Sequence, residues 1–281
     1  MSWKTIITYL LNGTPLGIKT VEFSNRLIVG ISIPRKDFED SIKRKELQRS
    51  GIYFLLGEDE WWKSMAYIWQ ATILWKRLTD HYRDTDKGFW NTVIAFTSKD
   101  WALNESDINY LEKELIIYAK QVGRYSITNW TSWNKWLIQE YREPDMIEFI
   151  EDIKTLLVSL WFHLLQELIS KNEQKNSKSM YYLTSRGSSA TWVYTEEGFV
   201  VLKWSKLSTW EITPSHVMNI VKRRQEIQDM GILIDAEFQR DCIFKTPTSA
   251  CNIIAGWNQN GWQEWKTKDG KTLNEIERQI I

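Results

Sequence analysis

GIYFLLGEDEWWKSMAYIWQATILWKRLTD, residues 51–80, holds two short apolar runs, a charged connection and the start of an amphipathic segment. Residues 51–56 and 65–69 read as strands. Period-two alternation puts Ile52, Phe54 and Leu56 on one face of the first, and Tyr53 and Leu55 on the other. The charged stretch GEDEWWKS between them reads as a hairpin loop. From 70 to 82 the period changes: Ala71, Leu74, Leu78 and Tyr82 recur at helical spacing and make a core-facing stripe. Arg77 and His81 are four apart on one flank of that stripe, so their side chains reach the same point. Two tyrosines, Tyr53 and Tyr67, are drawn toward that point by the strands.

Working outward, residues 92–96, TVIAF, form a third strand behind Trp90. Residues 106–120, SDINYLEKELIIYAK, predict a second helix, with Ser106 as a cap and Ile108, Leu111, Leu115, Ile116 and Ala119 as its apolar face. Glu112 sits inside that face. A carboxylate there is costly unless it is paired or binds metal, and both answers are open. The order is β-β-α-β-α. Asn129 follows in a loop after Arg124 and Tyr125.

Upstream, residues 5–11, 18–23 and 27–33 read as strands of a small antiparallel meander, with turns at 12–15 and 24–25 and a stop at Pro34. Residues 36–49 read as a polar, mildly basic helix or lead-in, either a solvated face or a phosphate-facing patch. Downstream, residues 145–170 read as one helix or a broken pair, with Met146, Phe149, Ile150, Ile153, Leu156 and Leu157 at helical spacing. The polar run KNEQKNSKS, 171–179, reads as a linker and domain boundary. Beyond it come strands at 180–185 and 191–201 with a turn at Glu196-Glu197-Gly198, and helices at 215–230 and 247–255. A strand at 260–266, an Asp269-Gly270 turn and a second strand end the chain.

The 281 residues are 43% apolar and 26% charged, which supports a folded core and argues against wholesale disorder. The formal net charge is zero, so a nucleic-acid partner would need a local basic patch. The N-terminal apolar run is short, and no run of about 18 apolar residues occurs. The chain reads as soluble and cytoplasmic, with no membrane partner. Cys242 and Cys251 lack metal-ligand spacing and read as reduced structural thiols.

Seventeen tryptophans are far more than this length predicts. Trp61 and Trp62 fall at a hairpin tip, and Trp130 and Trp133 in a polar loop. One reading is a set of exposed rings that stack on unpaired bases. The other starts from backbone: Trp69, Trp101, Trp161, Trp192, Trp204 and Trp257 stand where turns or close approaches call for Gly. UGA is read as Gly in some bacteria and as Trp in others, so these six are expected to be UGA codons decoded with the wrong table. Trp90, Trp262 and Trp265 lie in apolar or amphipathic settings and read as genuine.

Taken together, Tyr53, Tyr67, Arg77, His81, Glu112 and Asn129 resemble, in order and in element, the site of the GIY-YIG nuclease family. The resemblance covers about 50–140. Gly51-Ile52-Tyr53 is unbroken, and Tyr67-Ile68-Trp69 departs from YIG at its third residue. A histidine one turn after the arginine resembles the restriction-enzyme-like branch. The pieces NGW, EWK and DGKTL resemble, over roughly 230–275, a small domain of unknown function that commonly follows GIY-YIG domains.

The resemblance implies an α+β fold: a GIY-YIG-like β-β-α-β-α core with a small antiparallel N-terminal meander, a helical connector and a small α+β C-terminal domain. The expected divisions are 1–48, 49–140, 141–179 and 180–281. It implies a metal-dependent endonuclease that hydrolyses phosphodiester bonds in DNA, with RNA not excluded, through Mg2+ or Mn2+. Glu112 would be the single protein ligand of that ion, since Mg2+ keeps most of its waters. Arg77 would offer its fork of donors to the scissile phosphate. Tyr53 would touch the attacking water. Its ordinary pKa of about 10 makes it a poor base, so it needs a relay, with His81 as natural partner. Tyr67 would orient phosphate or water, and Asn129 would hold the site by hydrogen bonds. A literal Trp69 would crowd this cleft. The rival reading is a catalytically weak nucleic-acid-binding or protein-interaction module on the same fold. Trp262 and Trp265 would stack on bases or fill the core of the C-terminal domain.

Overall fold

The computed structural model describes residues 3–60, 63–84, 87–129, 138–168, 180–195, 198–210 and 214–277. Trp61, Trp62, Trp130, Trp133, the 171–179 run and the Glu196-Glu197 turn lie outside the described residues. The chain is mixed α+β and divides into two compact units, Met1–Gln166 and Glu167–Ile281.

The first unit is built on one seven-stranded sheet. Its strands are β1 (Ile6–Leu10), β2 (Lys19–Phe23), β3 (Ile28–Pro34), β4 (Gly51–Glu58), β5 (Ser64–Ala71), β6 (Trp90–Ser98) and β7 (Ser126–Ile127). They are ordered β1-β2-β3-β6-β4-β5-β7. The N-terminal meander is therefore part of the same sheet, joined to it by β3 on β6. All pairings are antiparallel except β5 with β7. Gly51 opens β4 beside β6: a Cβ there would overlap the Phe96 carbonyl oxygen, so only glycine fits.

Alternation sends side chains to two cores. On one face Ile52, Phe54, Leu56, Ile68, Ile94 and Phe96 pack under α3 (Glu105–Val122) and α4 (Glu143–Ser159). On the other, Ile31, Ile33, Tyr53, Leu55, Tyr67 and Val93 pack with Phe38, Leu47, Leu74 and Leu78. The last two come from α2 (Leu74–Arg83), and Phe38 from the four-residue α1 (Phe38–Ser41). The stretch 36–49, expected as a polar helix or lead-in, forms no continuous helix: two 3-10 turns flank α1, and only Phe38, Ser41, Glu46 and Leu47 are buried along it. Helix α2 starts at Leu74 and not at 70: β5 runs on to Ala71, still paired with Gly51.

The cap of α3 is Asn104, two residues before the expected Ser106. Its side chain accepts from the Asp107 N–H, and the Asp107 carboxylate accepts from the Asn104 N–H, a reciprocal box that Ser106 cannot form. Asp107 is fully buried and also takes the Arg142 guanidinium at 2.7 Å, which ties the start of α3 to the start of α4. Of the two readings of 145–170, one helix or a broken pair, the unbroken helix is excluded: α4 stops at Ser159. Leu160 closes it and Trp161 adopts a left-handed φ of 69°.

The second unit has a four-stranded antiparallel sheet ordered β13-β10-β9-β8. Its strands are β8 (Met180–Ser185), β9 (Ser188–Thr195), β10 (Gly198–Val201) and β13 (Cys242–Phe244), and a small hairpin adds β11 (Leu233–Ile234) and β12 (Glu237–Phe238). Helices α5 (Pro214–Asp229), α6 (Pro247–Ala255), α7 (Gly261–Glu264) and α8 (Leu273–Glu277) complete it. The strand expected at 260–266 is α7. Asn260 caps it through the Trp262 N–H, and Gly261 lies so close to the Pro247 backbone that no Cβ fits. Trp265 is wholly buried and donates to the Pro247 carbonyl at 3.0 Å, and Trp262 packs on the same core, so both serve as core. Cys242 and Cys251 are buried free thiols, raised by burial to about 11 and about 12. Among the described residues no helix is long and apolar enough to cross a membrane.

Candidate active site

Tyr53 and Tyr67 come from adjacent strands on the α2 face of the sheet, and α2 lays His81 and Arg77 across them. The Tyr53 hydroxyl lies 2.7 Å from His81 Nε2. Ring centroids are 6.5 Å apart for Tyr53 and Tyr67, and 5.3 Å for Tyr67 and His81. The Arg77 guanidinium lies near enough to both tyrosine hydroxyls to act on their ionisation, while its own side chain stays 43% exposed. Four of the six residues singled out in the sequence thus meet at one point.

Glu112 and Asn129 act from beside β5. Asn129 is buried and grips Ile68 twice: its Oδ1 accepts from the Ile68 N–H at 2.8 Å and its Nδ2 donates to the Ile68 carbonyl at 2.5 Å. This continues the short β7 ladder with a side chain in place of backbone, and it fixes the strand between Tyr67 and Trp69. The Glu112 carboxylate lies toward the Gln70 N–H, on the same strand, which lowers its pKa. Gln70 is itself held by Asn109, one turn before Glu112.

The electrostatics follow from burial. Tyr53 is fully buried, and desolvation, then the Tyr67 hydroxyl, drive its pKa far up against the pull of Arg77. Tyr67 is raised in the same way. His81 is pushed down to about 4 by desolvation, with Lys87 and Arg77 adding to it, so it is a neutral imidazole near pH 7. Burial raises Glu112 to about 7, against one backbone hydrogen bond that lowers it. Among the described residues no side-chain cation pairs with Glu112, and no group of three or more His, Cys, Asp or Glu could hold a metal. A half-buried carboxylate with a single backbone donor is under-compensated, and one divalent ion that keeps its waters fits that state.

Two residues modify what the sequence suggested. Trp69 is not at a sharp turn. It lies within β5 opposite Tyr53, and its ring stacks on Tyr67 at 5.8 Å and 13°. Lys87 was not singled out at all. Its ammonium lies 3.2 Å from His81 Nδ1 and 3.8 Å above the Tyr67 ring. Burial, then Arg77, lowers its pKa. It enters from the aperiodic connection between α2 and β6, where no sequence pattern fixes a side chain's reach.

Residues 181–277 match the family profile of a domain of unknown function (DUF4357). The match begins well before the 230–275 expected, and the packing gives the reason: Lys266, in the EWK piece, bridges to Tyr182 of β8, so the C-terminal pieces need the strands before them. No curated protein and no solved structure matches the chain.

Proposed function

We propose that the first unit is a metal-dependent endonuclease of the GIY-YIG type that hydrolyses phosphodiester bonds in DNA. The observation that carries the reading is the convergence of Tyr53, Tyr67, Arg77 and His81 on one cleft beside the half-buried Glu112. Such a reaction needs a positioned water, donors for charge growing on the phosphate and help for the leaving oxygen. Arg77 holds a phosphate oxygen with its exposed fork. Tyr53, buried and held by His81 and Arg77, meets the attacking water. Tyr67 orients water or phosphate from the next strand. Asn129 keeps β5 in register. Glu112 would hold Mg2+ or Mn2+, which when bound supplies Lewis-acid stabilisation of the phosphate and leaving group. The DUF4357 module would position substrate.

The test is a cleavage panel of labelled DNAs with Mg2+ or Mn2+, using the protein as written, a Trp69→Gly variant and Glu112→Ala in each background. Metal-dependent cutting that vanishes with Glu112→Ala supports the reading, whereas cutting that survives Glu112→Ala excludes this site. The stacking of Trp69 on Tyr67 favours a second reading, a binding module with little or no turnover. DNA bound without cutting by every version would select it.

A further inference from the structure

We propose that Lys87 is a positioning residue of this cleft: by donating to His81 Nδ1 it fixes the Nε2–H tautomer, so that His81 donates to the Tyr53 hydroxyl oxygen. The argument is one of donors and acceptors. An ammonium group donates only, and a neutral imidazole has one donor nitrogen and one acceptor nitrogen. With Lys87 Nζ at 3.2 Å, Nδ1 is the acceptor. The proton therefore sits on Nε2, which lies 2.7 Å from the Tyr53 oxygen. Tyr53 accepts, with the Arg77 charge close by and favouring the same polarity at that oxygen. Lys87 is held for this task by the face of Tyr67 beneath it.

The consequence reverses the relay that the sequence suggested. His81 takes no proton from Tyr53, because Nε2 already carries one. Instead the Nε2–H is directed at the Tyr53 oxygen, which stays a neutral hydroxyl because burial holds its pKa well above the ordinary value. The neutral hydroxyl, in turn, has its own hydrogen turned away from His81. The charged and titratable groups around His81 are Arg77, Asp80 and Asp84 from α2 and the residue after it, Lys87 from the following connection, and Tyr53 and Tyr67 from the sheet.

The hydrogen-bond direction stands on the resting protein, whereas its use in cleavage rests on the nuclease reading above. Nitrogen-15 NMR of the imidazoles, three in the whole chain, reads the tautomer without DNA or metal. At pH 7 His81 is expected as the Nε2–H form in the protein as written and in Lys87→Arg. In Lys87→Met it is expected to shift toward Nδ1–H, with Tyr53 donating into Nε2. An Nδ1–H form at the start, or an unchanged tautomer in a folded Lys87→Met, would overturn the assignment whatever the protein does to DNA. For an active protein, Lys87→Met is expected to lower kcat roughly tenfold with little change in KM, and Lys87→Arg to restore it. A switched tautomer with an unchanged kcat would overturn the link to Tyr53.

Discussion

Glu112 is the residue whose chemistry can be read without a substrate. Its folded-state pKa, about 7, lies above the ordinary 4.5, so the fold holds its proton more tightly than the unfolded chain does. The stability it contributes is full below pH 4.5 and is lost as pH rises through 7. Metal-free protein should therefore melt at a lower temperature at pH 8 than at pH 6 through this group, and Glu112→Gln should flatten that difference. Millimolar Mg2+ should raise the pH 8 melting temperature of the protein as written and leave Glu112→Gln unmoved. Equal Mg2+ response in both would remove Glu112 as the ligand.

Three tryptophans make a second residue-scale test. Trp101, Trp161 and Trp204 have φ of 65°, 69° and 70°, and their side chains are 59%, 82% and 62% exposed. A left-handed conformation costs a residue with a Cβ roughly 1–2 kcal/mol. Little burial is lost on truncation. Cation–π contacts of Trp101 with Arg49 and of Trp204 with Lys203 offset about 0.5 kcal/mol each. Each Trp→Gly change is expected to stabilise by about 0.5–1.5 kcal/mol in denaturant unfolding, and Trp→Ala to fall short of it, since alanine keeps the Cβ. The other three positions lack this backbone signature. Trp69 is in a strand, and Trp257 follows the left-handed Gly256 cap. Trp192 is wholly buried against Tyr181, Phe199 and Trp265, although its indole N–H finds no partner.

At the scale of elements, periodicity exposed most of the first unit's frame. The alternation in 51–56 separates Phe54 from Tyr53 into the two cores that the structure shows, and the stripe through Leu74 and Leu78 seats α2. Periodicity alone could not expose contacts made by one polar side chain across distance. Asn129 reads as loop, yet it completes the pairing of β5 from sixty-one positions away. The same holds for Asn104, whose value as a cap depends on Asp107 and, through it, on Arg142. Asn129→Ala strands two buried backbone groups of Ile68 and is expected to cost about 2–4 kcal/mol. Asn104→Ala loses one cap, about 1 kcal/mol. Hydrogen exchange at Ile68 should accelerate in the first variant and stay near its original rate in the second.

Over the whole molecule, two units bury separate cores, and each is described by its own internal contacts. Arg224 is the polar counterpart of the second core. Its guanidinium donates to the carbonyls of Ser208, Ile253 and Ile254, the last two at the end of α6, where a cation offsets the helix dipole. Arg224→Met leaves those carbonyls without their donor and is expected to cost the second unit about 2–4 kcal/mol. Exchange protection should fall across 181–277 and hold in β4–β6. A uniform loss in both would mean that the chain unfolds as one cooperative body.

The left-handed tryptophans bear finally on how the protein is made. Where codons 101, 161 and 204 are UGA, a host that terminates at UGA releases the chain by residue 100. With codon 69 read through, that fragment keeps β1 to β6 and α2, with Tyr53, Tyr67, Arg77 and His81, but ends before α3 brings Glu112. Half of the sheet's apolar cover is then missing, and the product is aggregation-prone rather than inactive and soluble. A recoded synthetic gene, with glycine at those codons, is the form to express.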